Sequence, residues 1–152
     1  MSGVPQVDWD AVTRAVAVRE RPARSRWTVT GRQPSAMLLG VLTGRMPAPW
    51  SEGEAGVAAG RAEYSAVLTP KGRTLSDLRL WRDGGREGDD APLLLDVPAA
   101  GAEALRAHFG RYLPPRLARV DDVSEATGML TVLGPGAAPW IAREATGFRL
   151  EA

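Results

Sequence analysis

Within "RTLSDLRLWRD" (73–83), five of the six charged or aromatic groups stand at positions 73, 77, 79, 81 and 83, all of one parity. A period of two is that of a β-strand, whose side chains alternate between faces. It places Arg73, Leu75, Asp77, Arg79 and Trp81 on one face. Thr74, Ser76, Leu78 and Leu80 fall on the other, which is small and apolar and suits a core. On the mixed face two guanidiniums flank a carboxylate, and an indole follows. Such a face is either solvated, with an Asp77–Arg73 or Asp77–Arg79 ion pair worth roughly 0–1 kcal/mol, or a polar binding wall. "RAEYSAVLT" (61–69) reads as the strand before it. In "TPKG", Pro70 suits the first central position of a type I turn and Gly72 the left-handed conformation. A three-residue hairpin loop with a bulge closes Thr69 against Arg73 and sets Ser65 across from Asp77. A two-residue loop closes Thr69 against Gly72 and sets Tyr64 there instead. A one-residue slip moves a side chain to the opposite face. The proline favours the longer loop, since primed two-residue turns need positive φ at their first central residue. Lys71, the chain's one lysine, reads as a turn residue beside Gly72.

Other chemistry is restricted by composition. The chain has no cysteine and one histidine, which excludes disulfides, thiolate nucleophiles, Cys/His pairs and multi-histidine metal sites. No metal is expected. A formal net charge of +1 gives no electrostatic case for nucleic acid or acidic membranes, so neither is expected as a partner. "GPGAAP" (134–139) lacks the spacing and Lys-Ser/Thr of a phosphate loop and reads as a tight strand-to-helix turn. His108 lies beside the apolar stripe of its helix. "VDDVSE" lacks calcium-loop spacing, and "GREGDD" reads as a solvated turn. The N-terminus resembles neither a signal peptide nor a spanning segment, so a cytoplasmic location is expected.

The elements that must position the mixed face follow from periodicity. Residues 7–19 predict a short amphipathic helix containing Trp9, Val12 and Val16. "RWTVTG" (26–31) predicts a strand ending at a glycine. "QPSAMLLGVLTGR" (33–45) predicts a helix with Pro34 in its first turn. Residues 46–60 predict a long Pro/Gly-rich loop with Trp50 as its anchor. "LLLDV" (93–97) predicts a buried third strand. A helix bearing Leu105, Phe109 and Tyr112 follows and stops at Pro114 and Pro115. "RLARVDDVSE" and "GMLTVLG" predict further strands, and "GPGAAPWIAREATG" a last helix. Hairpins with separate helices argue for α+β: an antiparallel sheet with packed helices.

The segment "KGRTLSDLRLWRD" resembles the Lys-Gly-x-x-x-Ser-x-Leu-Arg-Leu-x-Arg-Asp stretch of the folate-binding YgfZ-type proteins. Those proteins serve iron–sulfur enzymes and are relatives of the aminomethyltransferase (T-protein) of the glycine cleavage system. "VTGRQPSAMLLGVLTGR", "AEYSAVLTPKG" and "RYLPPRLARVDDVSE" with "LTVLGPGA" resemble further family segments in the same order, over roughly residues 26–140. The family's Gln before glycine is Leu39 here, and its later acid is Arg45. The T-protein's acidic doublet is Ser76-Asp77. Family members are about twice as long, and the later Lys-Gly-Cys-x-x-Gly-Gln-Glu segment has no counterpart here. The resemblance therefore implies the N-terminal half of such a protein: an N-terminal helix or extension over 1–24 and a folate-binding-type α+β domain over 25–152. It implies tetrahydrofolate as ligand, iron–sulfur proteins as clients, and a partner chain supplying the missing half. Asp77 would accept hydrogen bonds from the pterin edge; no catalytic residue is assigned, and Asp77 is the candidate if there is one. Tyr64 or Trp81 would pack on the ring. Lys71, Arg73 or Arg79 would meet the glutamate tail, with Gly72 beside them. The alternatives are a non-catalytic interaction module that has lost folate, and one-carbon transfer of the aminomethyltransferase type.

Overall fold

The computed structural model describes residues 9–21, 23–52, 58–82 and 88–145. In chain order the elements are α1 (Trp9–Arg14), β1 (Ala17–Glu20), β2 (Arg24–Thr30), α2 (Pro34–Leu39), β3 (Ser51–Glu52), β4 (Ala58–Ala59), β5 (Glu63–Leu68), β6 (Thr74–Arg82), β7 (Leu93–Pro98), α3 (Ala99–Tyr112), β8 (Arg119–Asp122), β9 (Leu130–Leu133) and α4 (Ala137–Ala145). Separate helices with antiparallel strands make the fold α+β. The chain forms two compact units. One draws on both ends, within 1–21, 52–57 and 128–152; the other lies within 22–51 and 58–127.

In the first unit β1 pairs antiparallel with β9, Val18 opposite Val132. The helix expected over 7–19 therefore stops at Arg14. Beyond it the β-branched Val18 takes a strand partner instead of a helical turn. At "GPG", Gly134 has φ 108°. A Cβ on Gly136 would lie 2.8 Å from the Val16 side chain. The glycines thus let β9 turn tightly into α4, as the sequence suggested.

The second unit is a five-stranded antiparallel sheet ordered β5-β6-β7-β2-β8, with α3 against one face. The core on that face comprises Trp27, Val29, Leu78, Leu80, Leu93, Leu95, Val97, Leu105 and Phe109 among others. Trp27 and Phe109 meet edge-on with centroids 6.2 Å apart, a favoured aromatic geometry. Gly101 of α3 lies so close to β6 that a Cβ there would come within 2.8 Å of the Ser76 Cβ. His108 has its pKa lowered, by burial first and then by Arg111. Its ring meets that of Tyr112 at a tilt of 45°, with centroids 4.6 Å apart.

Two expectations are corrected in this unit. The helix predicted over 33–45 ends at Leu39, with Gly40 as its C-cap. Leu42 then bridges Val67. The Thr43 amide donates to the Ala66 carbonyl at 3.0 Å, and the Gly44 amide to Ser65 Oγ at 2.8 Å. Residues 42–44 thereby occupy the free edge of β5, an edge that would otherwise invite pairing. The loop predicted over 46–60 holds the two short strands β3 and β4.

Candidate functional site

The hairpin tip matches the longer of the two loops. The Thr69 amide donates to the Arg73 carbonyl at 2.8 Å, and the Gly72 amide to the Thr69 carbonyl at 2.8 Å. Gly72 takes φ 77°. The register then shifts. Leu68 opposes Thr74, but Val67 opposes Ser76, so Leu75 is an extra residue: a β-bulge. Beyond it Ala66 opposes Asp77 and Tyr64 opposes Arg79. Neither residue anticipated across from Asp77 stands there. The bulge also turns Leu75 to pack against the core, away from the mixed face assigned to it by simple alternation.

Past the bulge the alternation holds. Ser76, Leu78 and Leu80 are buried, while Asp77, Arg79 and Trp81 lie on the open face. Asp77 makes no ion pair with Arg73 or Arg79 within the described residues. Its partner is Tyr64, diagonal to it on the same face: the phenol donates to Asp77 Oδ2 at 2.8 Å. Tyr64 is 63% exposed. Its pKa is raised, chiefly because ionisation would forfeit this hydrogen bond. The pair presents an acceptor and an aromatic ring together on an accessible surface.

A polar rung crosses four strands beside this pair. Tyr64 opposes Arg79, Arg79 opposes Asp96, and Asp96 opposes Arg26. At about 4.8 Å per strand the rung is about 14 Å long. The next rung holds Trp81, Leu94, Thr28 and Asp121. Asp96 is buried to 1% exposure, and its Oδ1 accepts from Arg24 Nε at 2.5 Å. Arg24 Nη2 also donates to the Asp96 carbonyl at 3.1 Å. Oδ2 of Asp96 has no partner among the described residues. Arg26 is buried too, and its guanidinium donates to the Arg24 carbonyl, the Ser124 carbonyl and Thr127 Oγ1.

Tyr64, Asp77, Arg79 and Trp81 thus share one surface. Lys71, Gly72 and Arg73 do not join them: they sit at the exposed hairpin tip, where neither cationic side chain has a partner among the described residues. Arg24, Arg26 and Asp96 were not anticipated. The signal for Asp96 was present in "LLLDV", since an acid in a buried apolar run demands a cation or donors.

No family model matches the chain. Over 95 residues it is 32% identical to the aminomethyltransferase of Exiguobacterium sibiricum, a stretch that makes up 62% of this chain. The similarity relates the chain to the aminomethyltransferases. The match covers 24% of that relative's length, so this chain spans only a part of such a protein. No helix among the described residues is long and apolar enough to cross a membrane.

Proposed function

We propose that the chain is a tetrahydrofolate-binding domain whose ligand lies on the open face of β5 and β6. The observation that carries this reading is the exposed Tyr64–Asp77 pair. Asp77 Oδ2 is satisfied by the phenol, and its second oxygen is left to accept from the amide-like edge of a reduced pterin. The Tyr64 ring stands beside it as a surface for a flat ligand, and exposed Arg79 supplies a cation for a carboxylate. The relation to an aminomethyltransferase supports the ligand class.

Within this reading the domain binds folate in the service of iron–sulfur enzymes, as its YgfZ-like segment implies, instead of transferring a one-carbon unit. Ser76 stands where the T-protein pattern has its first acid. It is buried beneath Gly101, and its hydroxyl donates to the Asp77 carbonyl at 2.9 Å. That position offers no group to a substrate on the open face.

Anaerobic calorimetric titration with tetrahydrofolate tests the proposal. The wild-type chain should bind. Asp77→Asn, which exchanges a charged acceptor for a neutral amide, should bind about tenfold or more weakly, as expected for a charge-assisted hydrogen bond of about 1.5–3 kcal/mol. Equal binding by the two proteins, or none by either at millimolar ligand, would refute it. Methylene-tetrahydrofolate formed from an aminomethyl donor would restore the transfer reading.

A further inference from the structure

The five-stranded sheet has two edges, and among the described residues only one is covered. Residues 42–44 cap β5, whereas β8 at the other end pairs with β2 and with no further strand. An uncovered edge offers its outward N–H and C=O groups to another chain. The ladder shows which groups these are. The Val123 amide donates to the Arg26 carbonyl at 2.9 Å, and the Gln33 amide to the Leu117 carbonyl at 2.9 Å. Antiparallel pairs alternate between bonded and unbonded, so the odd-numbered residues of β8 bond to β2. The N–H and C=O groups of Val120 and Asp122 face away from it.

The side chains of β8 suit a second copy of the same strand. Val120 and Asp122 oppose Val29 and Trp27 and so lie on the α3 face, while Arg119 and Asp121 lie on the open face. Asp122 is engaged from within, accepting from the Trp27 indole, Arg106 and Ser124. Arg119 and Asp121 pair with each other, their side chains 67% and 40% exposed, a contact worth little in water. A two-fold axis perpendicular to the sheet sets β8 antiparallel to its copy. Outward groups must meet outward groups, so even residues oppose even ones and the axis passes through a residue. Through Arg119, Asp121 or Asp122 it would oppose like charges. Through Val120 it opposes Arg119 to the copy's Asp121 twice and sets two β-branched valines side by side, both favourable cross-strand pairs. Those valines would border the clefts of about 190 Å³ that Phe109, Gly110, Leu113 and Pro115 line beside Val120. A Cβ on Gly110 would meet nothing within 4 Å, so that wall stands open.

We propose that β8 is a dimerisation edge. Two copies pair β8 to β8 about an axis at Val120 and join their sheets into one. β5 and β6 lie at the far end of each sheet, so their open face stays free and the dimer does not rest on the folate reading.

Sedimentation velocity of the full chain without ligand, from micromolar to millimolar protein, tests this. A reversible monomer–dimer equilibrium should appear. Arg119→Asp and Asp121→Arg each oppose like charges twice, and each should weaken the dimer about tenfold or more. Mixed in equal amounts, the two variants should form a heterodimer as strong as the wild-type dimer, since unlike charges then meet at both positions. The Arg119→Asp/Asp121→Arg double variant should regain the homodimer and replaces the mixture if circular dichroism shows either single variant unfolded. In the ¹⁵N-labelled wild-type chain, exchange of the Val120 amide should slow as concentration rises, while that of Asp121, already bonded to β2, should not. A chain that stays monomeric at millimolar concentration would overturn the proposal and leave the edge to a strand of another protein. A dimer that both single reversals leave intact, no rescue by opposite reversals, or a Val120 amide indifferent to concentration would each overturn it as well.

Discussion

Replacing Arg24 by Met should destabilise the second unit far more than removing its partner. Asp96 is 1% exposed, and Arg24 is the only cation bonded to it among the described residues. Arg26 opposes Asp96 on β2, but its guanidinium is engaged by the Arg24 carbonyl, the Ser124 carbonyl and Thr127. Arg24→Met therefore strands a buried carboxylate, at a cost of about 3–5 kcal/mol. That is a large share of a total stability of about 5–15 kcal/mol. Asp96→Leu leaves Arg24, whose side chain is 15% exposed. Its stem can carry the charge outward into water, so the loss should stay below about 2 kcal/mol. It also removes Oδ2, an acceptor already without a partner. The double variant should fall within about 1 kcal/mol of wild type, because a buried ion pair exchanged for apolar volume is often neutral. Urea unfolding with linear extrapolation, followed by circular dichroism, gives the four free energies. The expected coupling is about 3 kcal/mol or more. Single-variant losses that simply add, or an Arg24→Met cost under about 1 kcal/mol, would refute the reasoning.

The remaining predictions concern the hairpin and its support. The chain has two tyrosines, so ultraviolet titration near 295 nm can resolve Tyr64. It should ionise above its ordinary value of 10.0, and Asp77→Asn should bring it back down. The folded state keeps the neutral phenol, so its stabilisation is complete below pH 10 and is lost as pH rises through the raised pKa; no difference between the two proteins would contradict this. Gly101→Ala should destabilise by about 1–2 kcal/mol despite a helix gain of about 1 kcal/mol, because its Cβ meets Ser76. Ser76→Gly should restore that gain in thermal unfolding, and stabilisation by Gly101→Ala alone would show that α3 does not press on β6 as described.

Local signals in the sequence were strong where a residue type admits one conformation. Gly31 ends β2 at φ 136°, against the Leu117 carbonyl. Pro34 opens α2, and Gly72 takes the left-handed turn position. Helix extents were less legible because tertiary partners override weak periodicity. Val18 sits in strand pairing with β9, a segment more than a hundred residues away. Residues 42–44 leave a helical pattern to cap the edge of β5. The Arg24–Asp96 pair joins residues 72 apart. An isolated acid in "LLLDV" announces a need for a partner, but only the β2–β7 pairing identifies which arginine meets it.

The bulge at Leu75 is the physical compromise that creates the Tyr64–Asp77 pair. A three-residue loop, left to run, pairs odd positions with odd: Thr69 with Arg73, then Ser65 with Asp77. The burial pattern forbids that continuation. Ser65 and Val67 are buried on β5 at odd positions, whereas Ser76, Leu78 and Leu80 are buried on β6 at even ones. Opposed residues in an antiparallel pair face the same side, so odd must meet even for these buried sets to share a face. One extra residue satisfies loop and core together: Leu75 is inserted, and Val67 thereafter meets Ser76. The same shift puts even-numbered Tyr64 on the face of odd-numbered Asp77, diagonal to it and within hydrogen-bond reach. The apolar parity of β6 was readable in the sequence, but β5 gave no such guide: the even positions of its segment, Ala62, Tyr64, Ala66 and Leu68, are the more apolar, yet the core takes Ser65 and Val67. Turn chemistry alone pointed to Ser65, because it fixes register only as far as the first bulge.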